Sequence, residues 1–402
     1  MSKTILILGA GIEQIFAIKA AQECKIKVVA VDGDAKAPGL KIADVGINAD
    51  INNVELLVKL GKQYAVDGVM SPAVEIPVVV ANVAKELGLP GIPPETAERA
   101  FNKIKRLEAF RDHGVPSPRF AIASSLDDAV KAADKLGLPL VFKPIDNCAA
   151  RGVIMVEDKN KIERGFETAF SYAKRLKEIL IEEYLQGPEF STESIVSKGR
   201  IYTPGFGDRN YDKRQFLPFF IENGGELPTA LNEKEKRSVI DVVESAIKAL
   251  GIKWGVAKGD IIIDRGQPKV LEMAARTSGG RFSTMKIPLS TGVDMIKFLV
   301  QMHVGMEPDP KELKPKFSKG IAERFIFPKP GKIIAISGTE EAKRSKGIID
   351  FSMGSQMNIG NIIKNPTNHA ERFGYVVAIG DSRKEAIKYA EDAIKMIKIE
   401  TK

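Results

Sequence analysis

The chain has 402 residues, of which 44% are hydrophobic and 28% are charged, and its formal net charge is +8. This composition is typical of a globular protein with two to four compact units, and it argues against wholesale disorder. Lysines alternate with glutamates along the helical stretches rather than forming a basic tract. The positive charge therefore indicates a surface biased toward small anionic ligands, and no nucleic-acid partner is expected.

Cysteine and histidine patterns argue against a zinc site and against a disulfide framework. Cys24 and Cys148 lie far apart without C-x-x-C spacing, and the three histidines form no ligand pattern. Any metal site should therefore use oxygen ligands. No apolar run approaches the ~20 residues that span a bilayer, and no signal peptide precedes the first predicted strand. We expect no membrane partner and a cytoplasmic protein.

The first hundred residues predict a small doubly wound α/β domain. An apolar strand ends in the turn Gly9-Ala-Gly11-Ile-Glu-Gln14, a helix follows over residues 13–23, and a second strand ends at Asp32. The third glycine of a dinucleotide fingerprint is missing from this turn. A ligand of this domain is expected at the carboxyl ends of the strands, near Gly11, Asp32 and Glu75.

The middle of the chain predicts a second α/β alternation. An amphipathic helix is predicted over residues 101–113. A strand ending in Lys143 then leads into a small-residue loop, residues 146–152, which either closes over phosphates with its backbone N–H groups or only connects two strands. A helix over residues 161–177 and a strand over residues 179–185 follow.

Two apolar runs separated by Asp264-Arg-Gly-Gln-Pro268 predict a β-hairpin. Asp260 opens the first strand and Glu272 lies late in the second, so antiparallel pairing places their carboxylates side by side. Such carboxylates repel each other unless a cation lies between them, and Mg²⁺ is usually held by one or two carboxylates together with substrate phosphates. The alternative is an ordinary hairpin with two solvated acids.

The ordered combination of these features, over residues 90–305, resembles the ATP-grasp superfamily. The resemblance implies an α/β protein in which an ATP-grasp domain follows a small Rossmann-like, doubly wound domain and precedes a small α/β domain. The implied boundaries are 1–100 for the N-terminal domain, 101–310 for the ATP-grasp domain with a lid at about 119–185, and 311–402 for the C-terminal domain.

The resemblance also implies which residues bind ATP. Two lysines are expected to contact the phosphates, the backbone of residues 182–185 to bind adenine, and one acid to bind the ribose hydroxyls. In that order these residues are Lys103 and Lys143, then Glu182, Glu183 and Leu185, then Glu189, with Arg151 added from the small-residue loop.

The metal ligands and a catalytic arginine follow from the same resemblance. Asp260 and Glu272 match acids that bridge ATP phosphates through Mg²⁺, with Mn²⁺ as an alternative. Arg276 matches an arginine near the transferred phosphoryl group or the substrate carboxylate, where a planar fork is useful. Family members usually carry Asn two positions after the second acid, whereas this chain has Ala274, so the number of bound Mg²⁺ ions stays open.

The implied activity is that of an ADP-forming ligase, which phosphorylates a small-molecule carboxylate and couples the acyl phosphate to an amine. One alternative is an enzyme like the formate-dependent phosphoribosylglycinamide formyltransferase, in which Gly11, Glu13 and Glu75 hold a phosphoribosyl amine. Another is a nucleotide-binding protein without turnover. Arg281 either clamps a substrate carboxylate or faces solvent. The expected partners are ATP, the two substrates and a second copy of the chain in a homodimer.

Two further segments are less specific. Residues 203–228 either border the substrate pocket or form a surface loop before a helix predicted over residues 233–250. Residues 319–402 alternate short strands with a last amphipathic helix and predict an α/β appendage that packs against the core, without a chemical motif of its own.

Overall fold

A parallel four-stranded sheet forms the N-terminal part of the computed structural model, which describes residues 2–174 and 176–402. Its elements are β1 (Thr4–Leu8), α1 (Ile15–Glu23), β2 (Lys27–Asp32), β3 (Val45–Asn48), α2 (Val54–Gln63), β4 (Gly68–Met70) and α3 (Pro77–Leu87). The strands lie in the order β3-β2-β1-β4, and all of them are parallel. The predicted doubly wound domain is confirmed as a fold, while its boundaries stay a prediction.

Two helices, α4 (Pro94–Phe101) and α5 (Lys103–Asp112), replace the single helix predicted over residues 101–113. Asn102 has extended backbone angles, with φ −74° and ψ 118°, and it ends α4. Its side chain accepts the N–H groups of Ile104 and Lys105 at 3.0 and 3.1 Å and so caps α5. The break places Lys103 at the first position of a helix.

An antiparallel sheet carries the region predicted as the lid. Its elements are β5 (Phe120–Ala123), α6 (Leu126–Leu136), β6 (Leu140–Pro144), β7 (Ile154–Val156), α7 (Ile162–Ser171) and β8 (Ile179–Glu183). The strand order is β5-β8-β6-β7. Helix α7 is shorter than the predicted helix over residues 161–177, because the chain turns after Ser171 and Lys174 N–H donates to Asp146 Oδ1 at 3.1 Å. Arg175, within the predicted range, lies outside the described residues.

A large antiparallel sheet lies at the centre of the molecule. The elements of this part of the chain are β9 (Glu189–Ser197), β10 (Arg200–Arg209), β11 (Gly225–Leu227), α8 (Glu233–Leu250), β12 (Gly255–Asp264), β13 (Gln267–Ala274), α9 (Ile287–Thr291), α10 (Met295–His303) and β14 (Gly320–Phe325). A π-helical segment, Phe282–Lys286, precedes α9. Strands β12 and β13 pair antiparallel, so the predicted hairpin is confirmed.

The C-terminal region shares the central sheet instead of forming a sheet entirely of its own. Its elements are β15 (Gly331–Ser337), α11 (Thr339–Arg344), β16 (Ile348–Met353), β17 (Ile362–Ile363), β18 (Gly374–Gly380), α12 (Arg383–Met396) and β19 (Lys398–Thr401). The central sheet runs β13-β12-β9-β10-β11-β14-β18-β16, and a small sheet runs β17-β15-β19. This sharing carries C-terminal side chains toward the centre of the molecule.

Apolar contacts fix the N-terminal sheet against the central sheet. Helix α10 contributes Phe298 and Leu299, both almost fully buried, to one cluster with Ile5 and Ile7 of β1 and Ile195 of β9. Burial on this scale stabilises the interface, because each fully buried aliphatic side chain contributes roughly 1.5–3 kcal/mol. Within the described part of the chain, no helix combines the length and apolar character needed to cross a bilayer.

Candidate active site

A cleft of about 490 Å³ lies between the lid sheet and the central sheet. Its volume falls within the ~300–1,000 Å³ typical of small-molecule pockets. It brings together side chains from stretches that are far apart in sequence. The predicted residues that line it are Lys103, Lys143, Glu182, Glu183, Leu185, Glu189, Asp260, Glu272 and Arg276, together with Glu75.

Asp260 and Glu272 are direct cross-strand neighbours in the hairpin, so the predicted juxtaposition of two carboxylates is confirmed. Asp260 lies in the middle of β12 and does not open it, which corrects the predicted start of that strand. A β-bulge follows the pair, because Ile261 pairs with Val270 and not with Leu271. Bulges of this kind re-aim side chains beside functional sites.

Lys258 places positive charge between the two carboxylates. Its Nζ contacts the Asp260 carboxylate and lies 3.9 Å from Glu272 Oε2, and Arg106 Nη1 lies 3.9 Å from Glu272 Oε1. Burial alone would raise the pKa of Glu272, but the charges of Lys258, Arg106 and Lys103 outweigh burial and hold that pKa well below its usual range. Glu272 is therefore ionised at neutral pH.

This donor set fits a divalent cation. The Lys258 ammonium lies against both carboxylates, where a bound cation would also be stabilised. In residues 2–174 and 176–402, no group of three or more His, Cys, Asp or Glu side chains is arranged to hold a metal ion. Asp260 and Glu272 would hold Mg²⁺ together with phosphate oxygens, which is the usual arrangement for this ion. Ala274 pairs with Lys258, so the cross-strand partner of Ala274 supplies no oxygen in place of the missing asparagine.

Two lysines flank the loop that follows β6. Lys143 Nζ lies 2.5 Å from Glu182 Oε2, and Lys103 Nζ donates to the carbonyl oxygens of Ile145 at 2.8 Å and Asn147 at 2.6 Å. Burial lowers the pKa of Lys103 to about 8, because it removes water from the charged form. Both ammonium groups are thus held by protein oxygens that a phosphate would replace.

We expect the affinity for ATP to fall as the pH rises above about 8, because Lys103 then loses its proton. Below this pKa the lysine is charged and attracts the phosphates. Bound phosphates raise the lysine pKa, so the attraction is lost gradually, between about pH 8 and pH 10. Calorimetric titration with ATP from pH 7 to 10 measures the effect. Lys103→Met should bind ATP more weakly with a flatter pH dependence, whereas Lys105→Met, an exposed neighbour, should follow the wild type. An unchanged pH profile in Lys103→Met would contradict the assignment.

The C-terminal region fastens the small-residue loop. His369 N–H donates to the Ala149 carbonyl at 3.0 Å, and Ala149 and Ala150 both have φ near +57°, a conformation that is rare outside glycine. Cys148, Ala149 and Ala150 line the cleft. Arg151 does not line the cleft, and its Nη1 lies 3.6 Å from Cys148 Sγ.

In the segment predicted to bind adenine, two backbone N–H groups already form hydrogen bonds within the protein. The N–H groups of Glu183 and Tyr184 donate to the carbonyls of Arg119 and Pro139 at 3.0 and 3.1 Å. Glu182 is 3% exposed, and its Oε1 has no hydrogen-bond partner among the described residues. An unpaired buried acceptor is costly, so this oxygen is a candidate contact for a donor group on a bound base.

Arg209 lies within a buried charge cluster, in the segment 203–228. Its Nη1 is 3.1 Å from Asp260 Oδ2 and 3.6 Å from Glu189 Oε2, and its Nε is 3.0 Å from Glu222 Oε1. Burial raises the pKa of Glu189 to about 7, although Arg209 opposes the shift. Burial would also raise the pKa of Glu222, but the charge of Arg209, with a smaller contribution from Arg372, lowers it well below its usual range. Residues of this segment line the cleft, so it is not merely a surface loop, and its place beside a substrate stays a prediction.

The C-terminal region also contributes to the cleft, although its sequence shows no chemical motif. His369 and Arg372 line the cleft. Arg372 Nη1 lies 3.5 Å from Glu222 Oε2, and its guanidinium stands 3.7 Å from the centre of the Phe325 ring. These contacts hold Glu222, and through it Arg209, in place.

Arg276 is held by the N-terminal domain. Its Nε donates to Glu75 Oε1 at 2.6 Å, and its Nη2 contacts the same oxygen. The following turn rests on Glu193, a fully buried carboxylate that accepts Ser278 N–H at 3.1 Å and the Ser283 hydroxyl at 2.5 Å. Burial raises the pKa of Glu193. The guanidinium is therefore fixed from two sides.

The other three predicted substrate residues do not line the cleft. Gln14 stands where a dinucleotide fingerprint has its third glycine. Its side-chain Oε1 accepts the Gly11 N–H at 3.0 Å, so this hydrogen bond closes the turn. Glu13 Oε1 accepts Arg281 N–H at 3.0 Å. The Arg281 guanidinium pairs with Asp350, so this arginine does not simply face solvent.

The sequence did not predict several charged residues that line the cleft, namely Arg106, Lys258, Glu222, Lys286 and Glu323. Two of them carried a signal. Lys258 precedes Asp260 by two positions on a strand and so shares its face, and Arg106 follows Lys103 by three positions on a helix. The other three come from a loop and from distant elements, which periodicity does not connect.

Comparison with known families gives two matches along the chain. Residues 100–280 match the ATP-grasp domain, and residues 324–402 match the L-amino acid ligase C-terminal domain 2. Together these regions hold the predicted nucleotide and metal residues and the C-terminal side chains of the cleft.

Individual proteins are similar over most of the chain. Alanine–anticapsin ligase of Bacillus amyloliquefaciens is 25% identical over 338 residues, covering 78% of this chain and 69% of that protein. The formate-dependent phosphoribosylglycinamide formyltransferase of Prochlorococcus marinus is 24% identical over 416 residues, covering 99% and 97%.

A solved structure shares the fold over the whole chain. The crystal structure of the L-amino acid ligase from Bacillus licheniformis superposes with a TM-score of 0.85 at 23% identity, covering 100% of this chain and 99% of that one. Fold, domain matches and similar proteins agree with the resemblance found in the sequence. The chain therefore carries an ATP-grasp domain followed by an L-amino acid ligase C-terminal domain, and it is similar over most of its length to ATP-grasp ligases.

Proposed function

We propose that the protein transfers the γ-phosphoryl group of ATP to a small-molecule carboxylate and couples the resulting acyl phosphate to an amine, releasing ADP and phosphate. The observation that carries the proposal is the pairing of Asp260 with Glu272 in a cleft that also holds Lys103, Lys143 and Arg276. Phosphoryl transfer depends mainly on positioning and on neutralising charge. This set of groups supplies both.

The nucleotide lies in this proposal along the lid side of the cleft. The ammonium groups of Lys103 and Lys143 release the protein oxygens that they contact and bind the phosphates instead. Glu182 Oε1 accepts a hydrogen bond from the amino group of adenine, and Glu189 binds the ribose. Mg²⁺, or Mn²⁺ in its place, held by Asp260 and Glu272, would neutralise charge on the phosphates. Each of these residues lines the cleft.

Arg276 binds the carboxylate that is to be phosphorylated. A guanidinium offers two parallel N–H donors to a carboxylate. Glu75 holds the guanidinium group of Arg276 through Nε and Nη2. Nη1 donates to the Thr277 carbonyl at 2.9 Å, which fixes the plane of the group. A planar donor fixed in this way orients one carboxylate oxygen toward the transferred phosphoryl group.

The similar proteins favour coupling of a carboxylate with an amine, since two of them are named as ligases of amino acids or of alanine. The formyltransferase is the second candidate because it covers nearly the whole chain. Against it, the amides that would face a phosphoribosyl group are already used: Ala10 N–H donates to Asp32 at 2.6 Å and Gly11 N–H to Gln14. Retention of the complete charged set argues against binding without turnover. A homodimer and a cytoplasmic location stay predictions.

Trapping with hydroxylamine tests the proposal directly. An acyl phosphate reacts with hydroxylamine to give a hydroxamate, so incubation with Mg²⁺, ATP, hydroxylamine and pooled carboxylic acids should yield ADP and a hydroxamate of one pool. Formate, tested separately with a phosphoribosyl amine, checks the second candidate. Release of AMP, or absence of ADP and hydroxamate with every acid, would refute the proposed reaction.

A further inference from the structure

A buried ion pair lies at the end of the cleft away from the lid. Lys286 Nζ is 2.7 Å from Glu323 Oε2, and both residues are 8% exposed and line the cleft. Lys286 ends the π-helical segment, a rare conformation that is frequent at functional sites. The proposed reaction gives this pair no role so far.

Sheet register places the pair opposite the nucleotide residues. Arg209 pairs with Glu189 on one side and with Gly225 on the other. Glu226 pairs with Ala322, so Glu323 follows beside Gly225, two strands from Arg209. Two strand spacings are ~10 Å. Glu323 therefore lies across the cleft floor, ~10 Å from Arg209 and three strand spacings, ~14 Å, from Glu189 at the proposed ribose site.

Glycines keep the intervening space open. Gly225 separates Arg209 from Glu323 along the floor, and Gly279 and Gly280 line the same cleft. A Cβ atom added to Gly279 or Gly280 would meet no heavy atom within 4 Å. The cleft is thus open to a substrate beside Gly279 and Gly280, which follow Arg276 in the chain.

The charges around the pair favour a cationic ligand. In the part of the chain that the structure describes, the contacts of Glu13, Glu323 and Asp350 involve two cationic residues, Lys286 and Arg281. Glu13 Oε2 is buried and has no hydrogen-bond partner in the described chain, and Lys286, Arg281 and Glu323 are its charged neighbours. One carboxylate charge without a matching cation leaves the pocket suited to an ammonium group.

We infer that Glu323, held by Lys286, binds the amine substrate as an ammonium ion. The inference rests on the proposed function. The bound ammonium loses one proton to solvent before the amine attacks. The freed electron pair then forms the C–N bond at the acyl carbon, the C–O bond to phosphate breaks, and the second proton leaves with the phosphate.

The test separates the two half-reactions. The wild type, Glu323→Gln and a matched control, Glu307→Gln, are assayed for hydroxamate formation and for coupling to a panel of the twenty standard L-amino acids and ethylamine as amines. Glu307 also pairs with a lysine, Lys198 at 2.8 Å, but on the exposed surface. In Glu323→Gln we expect hydroxamate formation within about twofold of wild type and a KM for the amine raised roughly 10- to 100-fold, since a hydrogen bond to a charged group is lost. Glu307→Gln should match the wild type in both assays.

A double variant controls for the possibility that Glu323→Gln alone unfolds the protein. Removing one charge of a buried pair leaves the other unpaired, so Lys286→Met combined with Glu323→Gln is measured alongside and should show the same defect in amine KM. An unchanged amine KM in either folded variant would overturn the inference, as would loss of hydroxamate formation in both. Absence of hydroxamate from the wild type would instead refute the proposed function.

Discussion

Replacing Glu272 by Gln is expected to lower Mg²⁺-dependent ADP formation by a factor on the order of 10²–10³, the loss seen when one preorganised electrostatic group is removed from an active site. The substitution keeps the size of the side chain and removes one of the two carboxylates that face each other across the hairpin. Lys258 and Arg106 then lose their shared anion, and the remaining Asp260 is left as the single carboxylate for the cation.

Steady-state ADP release at increasing Mg²⁺ concentration measures this effect, and thermal unfolding checks that the fold is intact. Glu340→Gln is the matched control, because Glu340 also pairs with an arginine, Arg344 at 3.3 Å, but on an exposed helix. The control should keep wild-type activity. Turnover of Glu272→Gln within about threefold of wild type at saturating Mg²⁺ would show that Glu272 is not a metal ligand.

Local patterns predicted those parts of the fold that rest on neighbouring residues. Helix α8 has the predicted bounds of 233 and 250, because Asn232 and Glu235 form a capping box and Gly251 ends the helix in a left-handed conformation. The hairpin of β12 and β13 follows from a Gly and Pro turn between apolar runs. The same local pattern predicts that Asp260 and Glu272 are neighbours across the hairpin.

Sequence patterns gave wrong or incomplete predictions where a capping side chain ends a helix or where the contact is with a residue far along the chain. The amphipathic pattern runs through residues 101–113 without a break, yet the Asn102 side chain caps a new helix there. The cluster of Arg209 with Glu222 depends on a loop that returns to the sheet, and His369 reaches the cleft because β18 joins the central sheet. Sequence periodicity shows which residues share a face, but not which faces meet.

The family resemblance supplied what periodicity did not, the grouping of Lys103, Lys143 and Arg276 with the hairpin acids. Most residues assigned in this way line one cleft, whereas Arg151, Gly11, Glu13 and Arg281 do not. The exceptions lie on the N-terminal turn, on the small-residue loop and beside the C-terminal region. Two of them are already engaged within the chain, since Gly11 donates to Gln14 and Arg281 pairs with Asp350.

Replacing Arg209 by Met is expected to destabilise the fold by about 3–5 kcal/mol, the usual result of removing one partner of a buried ion pair. Arg209 lies within 3.6 Å of three carboxylates, those of Asp260, Glu189 and Glu222, and its side chain is 14% exposed. Without the guanidinium these carboxylates repel one another away from bulk water. Urea unfolding at pH 7.5 measures the loss, and ADP formation should fall with it because Asp260 loses its neighbour.

Arg237→Met is the matched control, because Arg237 also contacts two carboxylates, Asp241 at 2.5 Å and Glu244 at 3.2 Å, but is 59% exposed. An exposed pair contributes only about 0–1 kcal/mol. The pH dependence distinguishes charge repulsion from lost packing. In Arg209→Met the folded-state pKa values of Glu189 and Glu222 rise because the charge of Arg209 lowers both in the wild type. The folded chain then takes up more protons than the unfolded chain, and the deficit should shrink as the pH falls from 7.5 toward 5. A deficit equal to that of Arg237→Met, or one independent of pH, would show that Arg209 does not hold these carboxylates together.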